Sequence, residues 1–170
     1  MILPLPDFRS PAFLRAHIAD TMAFYHPQAI DSSGGFFHYF KDDGRVYERE
    51  HRPLVSSTRF VLNYAMAYIE FGKAEYLDAL WHGLDYLRTR HRDPFSGVYA
   101  WTLRRHEPED RTHHAYGLAF VLLAYAAALR AETEQVGLNT TQKRLMAAAV
   151  EAAKAPTAAL RLEIMANAQA

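Results

Sequence analysis

The chain has 170 residues, half of them hydrophobic, with no cysteine and a formal net charge of zero at pH 7. This length suits one domain, and the aromatic content supplies material for a packed core. The zero net charge gives no bulk attraction for nucleic acid. Without cysteine there is no disulfide, thiol nucleophile or cysteine-ligated metal.

The first residues carry no targeting signal. Residues 1–7 lack the basic region and the apolar run of a signal peptide. The best candidate for a membrane span, Leu118 to Leu129, is shorter than the ~20 residues that a span needs. We therefore expect a cytoplasmic protein that binds neither a membrane nor nucleic acid.

Helical and hairpin segments alternate in the first half of the chain. A helix is predicted from Ser10 to Tyr25, because Ser10 can cap it and Pro11 suits its first turn. The aromatic run 36–40, the turn 41–44 and residues 46–47 predict a short hairpin, since Asp-Gly favours tight turns. A second helix is predicted from Leu54 to Phe71, ended by Gly72.

The pattern then repeats. A third helix is predicted from Ala74 to Arg90, a strand from Val98 to Leu103, and a fourth helix from His113 to Arg130. The fourth is apolar on nearly every side, which indicates a buried inner helix. A helix pair of this kind cannot cover its own apolar face, so stacked pairs must close into a superhelix or a ring. The predicted fold class is all-α.

The last forty or so residues have a different composition. No aromatic residue follows Ala131, and alanine dominates the stretch that Pro156 divides. High helix propensity predicts short helices there. We therefore divide the chain into a body, residues 1–130, and a divergent helical tail, residues 131–170.

Two polar residues on the second helix are the first candidates for a binding site. Arg59 and Asn63 are four residues apart and project from the same helix face. A guanidinium with an amide one turn away can grip neighbouring sugar hydroxyls. The alternative is structural: Arg59 forms a salt bridge with a nearby acidic residue, and Asn63 forms hydrogen bonds with the backbone of a loop.

Further candidates lie before and at the start of the fourth helix. Tyr116 offers a hydroxyl and a stacking face, Trp101 offers a ring for a pocket mouth, and His114 offers an imidazole that could move a proton. The alternative for His113 and His114 is capping and packing at the helix end. An adjacent histidine pair cannot chelate as an i, i+4 pair does, so we expect no metal. No glycine-rich phosphate loop occurs, and no cofactor is expected.

Four blocks of sequence follow one another in a recognisable order. They are Gly34-Gly35-Phe36-Phe37-His38-Tyr39-Phe40-x-Asp42-Asp43-Gly44, Leu54-Val55-Ser56-Ser57-Thr58-Arg59-Phe60-Val61-x-Asn63-Tyr64-Ala65, Asp93-Pro94-x-x-Gly97-Val98-Tyr99-x-Trp101 and His114-x-Tyr116-Gly117-x-Ala119-Phe120-Val121-Leu122-Leu123-Ala124. Together they resemble the N-acylglucosamine 2-epimerase family, in particular its D-mannose isomerase branch. The resemblance extends from about Phe13 to Leu129.

This resemblance implies an (α/α)6 toroid, of which the chain is the N-terminal part, and isomerisation of mannose to fructose or 2-epimerisation of an N-acylglucosamine. Arg59 and Tyr116 occupy the positions of sugar-contacting residues in the family, with Asn63 and His114 as further candidates beside them. The family's acid–base histidines lie on later helices, and no histidine follows His114 here. The resemblance therefore implies a truncated chain that is weak or inactive alone, with catalytic residues unknown.

Two other functions remain open from the sequence. One is a non-catalytic half-toroid that binds a carbohydrate or a partner, such as a second copy of itself or a complementing second half. A glycoside-processing toroid would instead need two carboxylates flanking a cleft, for which Glu48, Glu50 and Asp110 are available. A monosaccharide is the expected ligand in the leading interpretation.

Overall fold

The computed structural model describes residues 6–135, so the tail predicted beyond residue 135 lies outside the described residues. Helix α1 covers Pro11–Tyr25. Its start is as predicted, because the Ser10 side chain accepts a hydrogen bond from the amide of Phe13 at 3.2 Å and Pro11 opens the first turn.

A small hairpin follows α1. Strand β1 (Tyr39–Phe40) pairs antiparallel with β2 (Val46–Glu48), and a bulge interrupts their register. Gly44 has φ +83°, a left-handed conformation that glycine adopts without steric cost, so the predicted Asp-Gly turn is confirmed.

Helices α2 (Leu54–Phe71) and α3 (Ala74–Tyr86) form an antiparallel hairpin. Gly72 ends α2 as predicted: it has φ +66° and donates its amide to the carbonyl of Tyr68. The predicted end of the third helix at Arg90 is wrong. Regular α-helix stops at Tyr86, and a single π-helical turn, Leu87–His91, continues the chain.

A three-stranded antiparallel sheet joins the segment before α2 to the segment before α4. Its strand order is β3 (His51–Pro53), β4 (Thr102–Arg104) and β5 (Glu107–Asp110). The strand predicted from Val98 to Leu103 therefore starts later than expected, at Thr102. The residues before Thr102 instead form isolated backbone hydrogen bonds with the end of the π-helical turn. The Ala100 amide, for example, donates to the His91 carbonyl at 2.8 Å.

Helix α4 covers Ala115–Gln135, so it starts after the predicted His113 and runs past the predicted Arg130. The boundary proposed between residues 130 and 131 thus falls inside a continuous helix. Ala115–Thr133 is long and apolar enough to cross a membrane by length and composition only, and it is longer than the stretch identified in the sequence. Half of that window is buried within the fold, and one such helix is weak evidence for a membrane span.

The core lies between α2, α3 and α4. Its fully buried members include Val61, Tyr64 and Ala65 of α2, Leu80 of α3, and Ala124 and Ala128 of α4. The predicted burial of the fourth helix holds for one side only, because Leu123 is 45% exposed and Tyr116 is 58% exposed. Met66 of α2 is also 45% exposed. Because α2 and α4 pack against each other, the two helices share an uncovered face.

Candidate functional site

The uncovered face of α2 and α4 brings Arg59 and Tyr116 together. These residues are 57 positions apart in sequence, yet the Arg59 guanidinium nitrogen Nη2 donates to the Tyr116 hydroxyl at 3.4 Å. Both side chains are exposed. The salt bridge considered as an alternative for Arg59 is not among the ion pairs of residues 6–135. The pair therefore places guanidinium and phenol groups side by side on an exposed surface.

Phe120 supports this pair and was not singled out in the sequence. The Arg59 guanidinium carbon lies 4.9 Å from the centre of its ring, a cation–π distance. The Tyr116 ring meets the same ring edge to face, with centres 4.9 Å apart. The signal was available, because Tyr116 and Phe120 are four residues apart on one helix.

Trp101 and His114 form a second pair beside the start of α4. Their ring centres are 4.3 Å apart. The Trp101 carbonyl also accepts the amide of Leu54, the first residue of α2, at 2.9 Å. A Cβ atom on Gly117 would lie 3.0 Å from the Trp101 ring, so glycine lets the ring close on α4. Trp101 thus bridges the starts of both helices.

Asn63 lies one turn along α2 from Arg59 and is exposed, as the spacing predicted. It lines a different feature, an apolar cavity of about 410 Å³ formed mainly by α1 and α2, with Arg130 of α4 at its edge; Tyr25 and Met66 also line it. The structure therefore places Asn63 on the same face as Arg59, but farther from the start of α2 than the Arg59 and Tyr116 pair.

A buried histidine joins the first turn of α2 to the residues that precede Trp101. His91 is 1% exposed; its Nδ1 donates to the Ala100 carbonyl at 3.1 Å, which leaves Nε2 to accept from the Ser57 hydroxyl at 3.1 Å. Burial lowers the pKa of His91 from 6.5 to about 4, although the hydrogen bond to Ala100 opposes the shift. Neutral His91 thus ties the first turn of α2 to the residue before Trp101.

A buried ion pair anchors the sheet behind the site. Arg52 on β3 is 1% exposed and contacts the Asp31 carboxylate at 2.7 Å. Burial alone would raise the pKa of Asp31, but hydrogen bonds from Ser33 and Arg52 outweigh it and hold the pKa below its usual value. Ser33 also lies 3.1 Å from His106 in the turn between β4 and β5. The pair is structural rather than ligand-facing.

The carboxylates considered for glycoside hydrolysis are all occupied. Glu48 accepts the amides of Glu50 and His51, Glu50 pairs with Arg105 at 2.8 Å, and Asp110 accepts the amide of Thr112. Within the described part of the chain, no group of three histidine or acidic residues could hold a metal ion.

The residues of this site lie within a stretch that matches a known family. The family model for N-acylglucosamine 2-epimerase (GlcNAc 2-epimerase) matches residues 35–166, which is most of the chain. The chain belongs to the N-acylglucosamine 2-epimerase family. The match continues past residue 130, into the stretch that the composition assigned to a divergent tail, so that division stays a prediction.

Two relatives of the epimerase family show how much of a longer protein the chain represents. It is 53% identical over 137 residues to the D-mannose isomerase of Marinomonas mediterranea, covering 81% of this chain and 33% of that protein. It is 28% identical over 107 residues to the cellobiose 2-epimerase of Eubacterium cellulosolvens, covering 62% of this chain and 26% of that protein. The chain spans about a third or less of the relatives it matches.

Solved structures give the same relationship for the fold. A D-mannose isomerase crystal structure matches with a TM-score of 0.72 and 52% identity, covering 78% of this chain and 35% of that one. The cellobiose 2-epimerase structure from Bacillus thermoamylovorans matches at 0.67 with 19% identity, covering 82% and 34%. The predicted fold is confirmed: the helix hairpins and short strands form part of an (α/α)6 toroid.

Proposed function

We propose that this chain forms a sugar-contacting wall of an aldose–ketose isomerase or 2-epimerase, with Arg59 and Tyr116 binding substrate hydroxyls. The observation that supports this most directly is the 3.4 Å contact between the two side chains on an exposed face. One Nη2 donor of Arg59 is used in that contact, and further guanidinium N–H groups remain to donate to a sugar. Mannose is the first sugar to test, because of the identity to a D-mannose isomerase.

The surrounding residues have distinct roles in this proposal. Trp101 packs its ring against a C–H face of the sugar at the start of α4, and His114 offers a hydrogen bond beside it. Asn63 offers a hydrogen bond one turn farther along α2. Isomerisation also needs groups that move a proton at the carbon next to the carbonyl. We propose that these lie outside the 170 residues and that the chain works in the cytoplasm.

Binding and turnover by the purified chain test this proposal separately. Calorimetric titration with mannose should show saturable binding, and Arg59→Ala should weaken it about tenfold or more, the effect expected for a charge-assisted hydrogen bond. Arg88→Ala is the matched control, since Arg88 of the π-helical turn pairs with Asp85 of α3 on the exposed surface. Equal mannose affinity in all three proteins would refute the role of Arg59.

Conversion of mannose to fructose by the same preparation should be weak or undetectable. Rapid turnover by the chain alone would contradict the proposal that its acid–base groups are supplied elsewhere. Binding without turnover is also what a non-catalytic carbohydrate-binding half-toroid would show. The two functions are distinguished by adding the C-terminal two thirds of a D-mannose isomerase, which should restore conversion only in the first case.

A specific observation favours a protein partner in either case. Met66 of α2 and Leu123 of α4 are each 45% exposed on the face that also carries Arg59. Apolar side chains grouped on one face indicate a surface that another protein covers. We propose a complementing second half as the partner, with a homodimer as the other outcome, and sedimentation velocity of the chain with and without that half measures which forms.

A further inference from the structure

A second cavity, of about 320 Å³, lies apart from the proposed sugar contacts. Residues from four segments line it: the π-helical turn, the loop 92–100, the turn between β4 and β5, and the residues just before α4. Neither Arg59 nor Tyr116 belongs to this lining. We call it the Arg92 cavity, after the residue on which the following inference depends.

Arg92 carries a charge with no acidic partner. Its Nε atom is buried and has no hydrogen-bond partner, and none of the ion pairs within residues 6–135 involves its guanidinium. The guanidinium lies against the backbone of Gly97, where an added Cβ would be 3.0 Å from Nη2. Because a partly buried cation is costly to leave unpaired, this position calls for a counterion.

The neighbouring carboxylates do not supply that counterion. Asp93 pairs with Arg111 at 3.3 Å, and its other oxygen accepts the amides of Phe95 and Ser96. Glu107 also lines the cavity but is exposed to solvent. Asp93 is therefore committed to its own loop, and water screens the charge of Glu107.

Further basic residues line the same space. Arg90 is exposed on the π-helical turn, and His113 is exposed in the segment before α4; both line the cavity. Arg111 completes the set, although it is already paired with Asp93. Guanidinium groups match the planar geometry of carboxylates and the oxygens of phosphates, which they bind with two parallel hydrogen bonds.

We propose that the Arg92 cavity binds a small oxyanion, a phosphate or carboxylate group, with Arg92 and Arg90 as its principal ligands. The volume lies at the small end of the range for ligand pockets, which favours a compact anion over a large one. The site is independent of the sugar surface, because it shares neither Arg59 nor Tyr116 with it. An anionic metabolite bound here would neutralise Arg92.

Calorimetric titration of the full 170-residue chain in a low-salt chloride buffer tests this site. Inorganic phosphate and succinate are titrated separately, so that the two sources of oxyanion are distinguished. Saturable binding of either anion supports the site and identifies its chemistry. Binding of neither anion overturns the proposal.

Variants assign the binding to the cavity. Arg92→Gln should lower the affinity about tenfold or more, as expected for the loss of a charge-assisted contact. The matched control is Arg45→Gln, because Arg45 pairs with Asp43 in the distant β1–β2 turn and should leave binding unchanged. Equal anion affinity in folded Arg92→Gln and in the unmodified chain overturns the assignment.

A second variant covers the case in which Arg92→Gln fails to fold. Arg90 is exposed, so Arg90→Gln should preserve the circular dichroism spectrum and weaken anion binding several-fold. Unchanged affinity in Arg90→Gln then overturns the proposal. Mannose binding is measured in the same proteins and should not change, which separates failure of this site from failure of the proposed sugar surface.

Discussion

His91 should make the fold sensitive to acid. Its pKa is lowered from 6.5 to about 4 by burial, a difference worth about 3 kcal/mol at ~1.4 kcal/mol per unit. The unfolded chain binds the proton as the pH falls through 6.5, whereas the folded chain binds it only near 4. The free energy of unfolding is therefore fully retained above 6.5 and falls across this window.

The variant His91→Gln tests this reasoning. Glutamine keeps one donor for Ala100 and one acceptor for Ser57 but cannot be protonated. Urea unfolding is followed by circular dichroism at several pH values between the two pKa values. On acidification, the free energy of unfolding of the variant should fall by about 2–3 kcal/mol less than that of the unmodified chain.

The comparison needs a control and a clear refutation. His38 is also buried, with its pKa lowered to about 3 by burial, so a residual loss of stability will remain in the variant. His17→Gln, a change on the exposed side of α1, is the matched control. Identical dependence of the unfolding free energy on pH in His91→Gln and the unmodified chain would refute the role of His91.

Three further substitutions should change stability by amounts that the structure sets. Gly83→Ala should destabilise by about 1–2 kcal/mol in urea unfolding, because its Cβ would lie 2.5 Å from Phe36 and overpacking exceeds the gain in helix propensity; a more stable variant would contradict this. Gly72→Ala should lower the free energy of unfolding by about 1 kcal/mol, since φ is +66° there. An unchanged midpoint of urea unfolding would argue against backbone strain at this position. Arg52→Met should lower the free energy of unfolding by about 3 kcal/mol, because it leaves the buried Asp31 carboxylate without its partner. Adding Asp31→Asn should recover part of that loss, and additive losses in the double variant would contradict coupling of the pair.

The fold was predictable where local signals mark the ends of elements. Helix α2 was predicted to its last residue because Gly72 stops it. The end of α3 was missed, since residues 84–90 contain neither glycine nor proline to mark it. His91, which ends the π-helical turn, is held by Ser57 and Ala100, contacts that helical spacing does not reveal. Strand β5, Glu107–Asp110, has little strand propensity and exists only through its pairing with β4.

The site was predictable in its parts but not in its assembly. Arg59 and Asn63 follow from helical spacing, whereas spacing says nothing about the contact between Arg59 and Tyr116. That contact was expected only from the family resemblance. The Arg92 cavity left no signal in the sequence, because its lining comes from four segments and its evidence is an unpaired guanidinium that only packing reveals.

The segment before α4 links the two proposed binding regions. Residues 111–114 have no regular secondary structure; Arg111 and His113 line the Arg92 cavity, whereas His114 packs on Trp101. Successive side chains of an extended segment point to opposite sides, which accounts for this division. Because the two regions share this segment but no side chain, one substitution can remove anion binding while the sugar contacts stay in place. Arg92 and Arg59 can thus be tested independently in one protein.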